Sequence, residues 1–210
     1  SNDDVVIDGL VNKGYELSDA RNYVVAACWE FIIPAVGADV ANIGALSFPK
    51  AIDTCLHKDL KNCGTYEEFY TCIKNEIRSM CDSICGRIKD LWFVPSPFLR
   101  VCMDKIKYNN FGIHGTGLST AADSIYAIKK YVFDGKSVSA DKLISAVDSD
   151  FENDSELLHK LRFETEKMGT GCDEVDEISV NLLDAFADSL KVRKNCRGGI
   201  YRAGTGSAMY

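Results

Sequence analysis

A chain of 210 residues, 46% of them hydrophobic, is long enough to bury a core, and its size suits one domain or two small ones. Its net charge of −7 leaves no basic footprint, which excludes a DNA or RNA partner. No apolar run approaches membrane-spanning length and no signal-peptide pattern opens the chain, so the sequence reads as cytoplasmic, with no membrane partner.

Nine cysteines, at positions 28, 55, 63, 72, 81, 85, 102, 172 and 196, form no Cys-x-x-Cys pair, and an odd number cannot all pair within one chain. Reduced thiols in a cytoplasmic setting are expected. Cys81 and Cys85 stand at i and i+4 and would share a helical face. No other His/Cys cluster adds ligands at a recognisable spacing, so no metal is expected. His57 and His159 fall in helices with no partner signal. The chain opens on Ser1-Asn2 without methionine, and residues 1–17 read as a lead-in segment or a cleavage remnant.

Residues 4–17 are expected to be lightly packed, with Gly9 and Gly14 as breaks, and Ser18 or Asp19 as N-cap of a short turn. An apolar run follows, predicted as one extended piece over 23–29, then Pro34 and a loop over 37–44. A helix is expected over 48–57. The clearest periodic signal runs over 66–92, where Phe69, Ile73, Ile77, Met80, Ile84 and Ile88 recur at steps of three and four behind a Thr65-Tyr66-Glu67-Glu68 capping pattern. Further helices are predicted over 119–133, 140–151, 156–167 and 173–191, the last with the acids Asp173, Glu174 and Asp176 favouring its N-terminus. Extended pieces near 111–115 and 199–203 complete a mostly α chain with a few short strands. None of the extended pieces has an obvious partner among the others, and isolated strands are a liability in a complete domain. A fragment of a larger fold is the expectation.

The chemistry is placed in Asp19-Ala20-Arg21-Asn22-Tyr23-Val24-Val25-Ala26-Ala27-Cys28-Trp29-Glu30. If 24–30 is extended, Cys28 and Glu30 project to one side with Trp29 opposite, so a thiol and a carboxylate face one cavity. Free cysteine is among the most buried and usually inert side chains, so on these residues alone the pair reads as a buried thiol beside a surface acid. Three further stretches stand in order behind it. They are Lys107-Tyr108-Asn109-Asn110-Phe111-Gly112-Ile113-His114-Gly115-Thr116-Gly117 running into Ala122-Asp123-Ser124, then Asp173-Glu174-Val175-Asp176, then Asn195-Cys196-Arg197-Gly198-Gly199-Ile200-Tyr201-Arg202.

With the Cys-x-Glu stretch, these resemble the glycyl radical enzymes of the pyruvate formate-lyase-like family over nearly the whole chain. The resemblance implies that 18–210 is a partial domain, a helical fragment of a ten-stranded α/β barrel lacking its N-terminal half. It implies a lyase or dehydratase of anaerobic metabolism in which a glycyl radical, installed by an S-adenosylmethionine iron–sulfur activating enzyme, passes to a thiol at Cys28. Glu30 matches the general base of the eliminating members. It further implies a small-molecule substrate, the activating enzyme as partner, and a homodimer as an outcome of uncovered barrel surface.

Departures from the pattern narrow the branch. Pyruvate formate-lyase carries two adjacent cysteines where this chain has Ala27-Cys28, which disfavours acyl transfer to coenzyme A. That acyltransferase branch and arylacetate decarboxylation are the alternatives within the family. The acid of the diol dehydratases falls, by ungapped count, on Asn42, preceded by Val40 and Ala41. An amide cannot donate a proton as a carboxyl can, so glycerol or propanediol dehydration is not supported. Asn42 and His114 are the substrate-contact candidates, His114 being read also as a histidine satisfied by backbone groups; Arg197 is a candidate anchor for the radical loop. The family's Arg-Val-x-Gly-Tyr motif does not occur among the 210 residues, so the chain alone is expected to be inactive. Two readings stand outside this one: a non-catalytic helical interaction module, and a phosphate-binding domain built on the 112–117 glycine turn.

Overall fold

The computed structural model describes residues 3–26, 30–34, 36, 42–88, 107–191 and 193–205, with backbone alone for Ala26 and Glu30. Predicted segments over 89–92 and the residues Cys28 and Cys102 lie outside the described residues.

The chain opens with helix α1 (Asp3–Asn12) and the short α2 (Leu17–Ala20), followed by strands β1 (Val24–Ala26) and β2 (Glu30–Ile32). Strand β3 (Ala45–Ser47) leads directly into α3 (Phe48–Lys58), and α4 (Tyr66–Arg87) follows. Strand β4 (Phe111–Thr116) is followed by α5 (Leu118–Ile128), a π-helical turn at Lys129–Asp134, α6 (Ala140–Asp148), α7 (Ser155–Phe163), α8 (Asp173–Leu190) and β5 (Tyr201–Thr205).

The helices start where local chemistry dictates. Ser47 Oγ accepts from the N–H of Lys50 with Pro49 in the first turn of α3, and Thr65 and Glu68 close the predicted capping box on α4. The acids Asp173, Glu174 and Asp176 fill the first turn of α8, as the sequence indicated. The lead-in differs from expectation. Residues 3–12 are helical through Gly9, and Gly14 at φ 91° provides the break. Neither Ser18 nor Asp19 caps α2; Glu16 holds that position without a side-chain hydrogen bond. The Asp19 carboxylate is engaged instead by residues far along the chain.

The second correction concerns the strands. The extended pieces pair with one another: β3, β4 and β5 form a three-stranded sheet in that order, both neighbours parallel, with Ala45 opposite His114 and His114 opposite Gly204. Each parallel step carries a helical crossover, α3 and α4 between β3 and β4, then α5 to α8 between β4 and β5. The partners escaped the sequence reading because β3 is only three residues long and lies in the gap between the predicted loop over 37–44 and the predicted helix over 48–57.

Helices α3, α4, α5 and α8 pack together and cover one face of this sheet. Phe48, Phe69, Ile73, Ile77, Phe111, Ile113, Ile125, Leu182 and Phe186 are fully buried there, each contributing about 1.5–3 kcal/mol by transfer from water. Along β4 burial alternates: Phe111, Ile113 and Gly115 face the helices, while Gly112, His114 and Thr116 face the other side, half-buried. Gly115 lets the helix layer approach, since a Cβ there would lie 2.6 Å from Phe48 Cε2 and 3.2 Å from Phe186 Cε1. Phe48 and Phe186 meet edge-on with ring centroids 5.8 Å apart.

The loop entering β5 is cross-braced to the residues entering β4. Asn195 Nδ2 donates to the carbonyl of Asn109 (2.6 Å), Asn195 Oδ1 accepts from the N–H groups of Arg197 and Gly199, and Asn110 Oδ1 accepts from the N–H of Ile200 (3.2 Å). A Cβ on Gly199 would stand 2.0 Å from the carbonyl oxygen of Asn109, backbone that has no side-chain freedom to give way. Gly199→Ala is therefore expected to cost about 3 kcal/mol, the upper end of overpacking. Gly198→Ala, at φ 82° with open space around it, should cost only about 1–2 kcal/mol from the left-handed backbone. Urea midpoints of the two variants check the ranking; equal losses would show that the close crossing is not what requires Gly199.

Candidate active site

Glu30, the predicted carboxylate, opens a second short strand that pairs with the first. β1 and β2 are antiparallel, with Val24 opposite Ile32, Val25 opposite Phe31 and Ala26 opposite Glu30. β1 and β2 therefore run in opposite directions, which corrects the expectation of one extended run from 24 to 30; the same-face placement of Cys28 and Glu30 falls on residues outside the described ones. Cys28 lies outside the described residues; Glu30 opens β2 directly opposite the last residue of β1. The hairpin is apolar and uncovered, with Val24, Val25 and Phe31 each more than two-fifths exposed and the ring of Phe31 edge-on to Tyr23 at 5.6 Å.

The roots of the hairpin are held by a dense polar cluster. Asp19 Oδ2 accepts from Lys107 Nζ (2.7 Å) and from the hydroxyl of Tyr108 (2.8 Å), and that hydroxyl also accepts from the N–H of Glu16 (2.9 Å). Lys107 Nζ reaches Glu16 Oε2 as well, at 2.5 Å. The Tyr15 ring lies 4.5 Å from that of Tyr108, and its hydroxyl accepts from Asn110 Nδ2 (2.9 Å). Arg202 stacks over Tyr15 and donates to the carbonyl of Lys13. The Lys107 ammonium and then the Tyr108 hydroxyl hold the Asp19 carboxyl below the usual carboxylate range, and the hydrogen bonds to Asp19 and Glu16 hold Lys107 above the usual lysine range.

A depressed carboxylate stabilises the folded arrangement above its unfolded pKa, about 3.9 for Asp, and that contribution is lost as pH falls through the folded value. Amide protection of 16–23, corrected for intrinsic exchange, should accordingly fall below pH 4 in the wild type. Asp19→Asn should remove the acid step; an unchanged step in that variant would assign the pH dependence elsewhere.

Asn42 lies in the turn ahead of β3, and His114 lies on the neighbouring β4. Asn42 is exposed, and its Oδ1 accepts from the N–H of Gly44 (3.2 Å), so its oxygen is spent on the turn into β3. Ile43 then donates to the carbonyl of Gly112 and His114 to that of Gly44, both at 2.9 Å, which fixes the residues around Asn42 against β4. His114 projects to the sheet face opposite the helices. Gly112, His114, Thr116 and Arg202 thus share the face a parallel sheet normally covers.

Several sequence readings are accounted for by packing. The predicted glycine turn over 112–117 is mostly strand; only Gly117 leaves it, at φ 72°, where a Cβ would also meet Pro49 Cγ at 2.6 Å. The glycines thus serve close approach rather than a phosphate cradle. Burial pushes the Cys81 thiol up to about 12, and Cys85 is raised for the same reason. Among the described residues no group of three or more His, Cys, Asp or Glu is placed to hold a metal ion, and no helix is long and apolar enough to cross a membrane. Sequence reasoning gave no role to Lys107 and Tyr108, whose partners lie 88 and more residues away; no spacing rule connects positions so distant.

Three comparisons with known proteins agree. A family profile described as "Pyruvate formate lyase-like" matches residues 1–209. Among curated relatives, trans-4-hydroxy-L-proline dehydratase of Clostridioides difficile is 27% identical over 96% of this chain and 29% of its own length. (2S)-3-sulfopropanediol dehydratase of Klebsiella oxytoca is 23% identical over 97% of this chain and 29% of its own. Isethionate sulfite-lyase of Desulfovibrio desulfuricans is 24% identical over 77% of this chain and 24% of its own. The chain thus spans under a third of the length of these relatives. The crystal structure of the Clostridioides difficile hydroxyproline dehydratase superposes with a TM-score of 0.84 at 25% identity, covering 97% of this chain and 30% of that one. The glycerol-bound B12-independent glycerol dehydratase of Clostridium butyricum superposes at 0.83 with 23% identity over 96% and 29%, a likeness of fold. The parallel sheet with its helical crossovers and a profile match over residues 1–209 lead to one conclusion: the chain belongs to the pyruvate formate lyase-like family.

Proposed function

We propose that this chain is the cysteine-bearing part of a glycyl radical lyase or dehydratase that eliminates a small leaving group from a hydroxylated small molecule. What supports the reading is the Cys28-Trp29-Glu30 sequence, with Glu30 opening β2, in a chain whose curated relatives include two dehydratases and a sulfite-lyase. In those relatives the leaving groups named are water and sulfite.

The glycyl radical, installed by a radical S-adenosylmethionine activating enzyme, supplies the hydrogen-atom acceptor for the Cys28 thiol. Its Arg-Val-x-Gly-Tyr motif is not among these 210 residues, so the radical is not assigned to any glycine here. Cys28 takes a hydrogen atom from a substrate C–H: an S–H bond forms and a carbon radical remains. Glu30 accepts the proton of the neighbouring hydroxyl, and the adjacent group leaves with its bonding electron pair. The S–H of Cys28 then returns its hydrogen atom to the product radical. An apolar flank such as 24–27 suits this chemistry, which needs a site that excludes water once the hairpin is covered. With an amide at Asn42, Glu30 is also the group that returns a proton to the leaving group.

The test is an assay of the complete, anaerobically activated polypeptide on hydroxyproline, 3-sulfopropanediol, isethionate, pyruvate with coenzyme A, and an arylacetate. Release of water or sulfite is expected. Acyl-coenzyme A formation or loss of carbon dioxide would move the chain to another branch of the family.

A further inference from the structure

Both ends of the Cys28 hairpin are fastened to one dipeptide. Ahead of β1, the side chains of Lys107 and Tyr108 hold Asp19 and Glu16 by the four contacts described above, all between 2.5 and 2.9 Å. Behind β2, the backbone N–H groups of the same two residues both donate to the carbonyl of Val36, at 2.8 and 3.2 Å. Two residues further on, Asn109 and Asn110 are braced by the Asn195 loop and lead into β4. One short segment therefore takes the chain entering the hairpin, the chain leaving it and the central strand of the sheet as three fixed partners.

Every side chain at this node is doubly engaged or shares a doubly engaged partner. The Tyr108 hydroxyl donates once and accepts once, and the Lys107 ammonium serves two carboxylates; Asp19 accepts two charge-assisted or hydroxyl bonds on one oxygen. Such a cluster stabilises the fold little where it is exposed. What it fixes is geometry, because a hairpin of two three-residue strands is marginal by itself and the apolar faces of β1 and β2 are uncovered.

We propose that Lys107 and Tyr108 are positioning residues that tie the segments flanking the β1–β2 pair, which bears Glu30 and brackets the Cys28 stretch in sequence, to the chain entering β4, for the hydrogen-atom and proton transfers. The proposal rests on the function proposed above. Displacement of a reacting group by about 1 Å costs on the order of 10²-fold in rate, so a node touching no substrate atom still sets kcat.

The test uses the complete polypeptide, activated to equal glycyl radical content by electron paramagnetic resonance, with the variants Lys107→Met, Lys107→Arg and Tyr108→Phe. Lys130→Met, which removes an ion pair to Glu166, is the control. Lys107→Met and Tyr108→Phe are expected to lower kcat about 10- to 100-fold with KM within about two-fold, Lys107→Arg to recover most of the loss, and Lys130→Met to do neither. In parallel, hydrogen exchange of the amides in 24–26 and 30–32 should accelerate in Lys107→Met and Tyr108→Phe and not in the control. Unchanged exchange in the hairpin overturns the proposal whatever the turnover. A rise in KM matching the fall in kcat/KM overturns it too, because it assigns the node to substrate binding. Wild-type protein that carries the radical and turns over none of the substrates contradicts the function and leaves the exchange measurement to decide the node.

Discussion

Cys28→Ser in the activated complete polypeptide is expected to abolish turnover, a loss of at least roughly 10⁴-fold, the scale on which removal of a single reacting group acts. Serine matches cysteine closely in size, so packing changes little. The chemistry changes in kind, because the O–H bond of serine is far stronger than the C–H bond a glycine-centred radical would form by taking its hydrogen, so no oxygen radical is generated to attack the substrate. The glycyl radical signal should persist undiminished in this variant, since its glycine is elsewhere, and substrate should leave it unaltered. Measurable product from Cys28→Ser would remove Cys28 from the reaction, and with it the reading of the hairpin as catalytic.

Glu30→Gln separates the two halves of the mechanism. Loss of a general base costs about 10²–10⁴-fold, and elimination should fall by that amount. Hydrogen transfer between substrate and the Cys28 thiol does not need the carboxylate, so deuterium placed on the reacting substrate carbon should still wash into solvent through the thiol. Elimination and wash-out are measured on one sample by mass spectrometry. If both fall together, Glu30 acts before C–H cleavage, in binding, and the proton transfer belongs to another group.

Those elements whose determinants are local were legible in the sequence. The capping box at Thr65, the i, i+3, i+4 apolar positions of α4 and the acidic first turn of α8 gave the starts of both helices. The hairpin was not legible, because Ala27-Cys28-Trp29 contains none of the Gly, Pro, Asn or Asp that announces a turn, and an unbroken apolar run from Val24 to Ala27 reads as one strand. The sheet was half-legible: β4 and β5 are visible as extended pieces, but their parallel pairing joins residues about ninety positions apart and depends on crossover helices. The π-helical turn after α5 shifts the periodicity and seats Tyr131 against Thr165 at 3.1 Å, a tertiary contact with no local signal. The site divides the same way. Cys28 and Glu30 were chosen from their resemblance to a family pattern, while Lys107 and Tyr108 became visible only once residues 16–19 and 36 were seen to converge on them.

Radical elimination chemistry in this chain requires an Arg-Val-x-Gly-Tyr stretch, which does not occur among these 210 residues. Reading the native gene beyond the codon for Tyr210 tests this most directly. An in-frame continuation to an Arg-Val-x-Gly-Tyr stretch is the predicted result. A stop codon before any such stretch would contradict it, leaving Cys28 without a radical source and making a helical interaction module the better description of the protein.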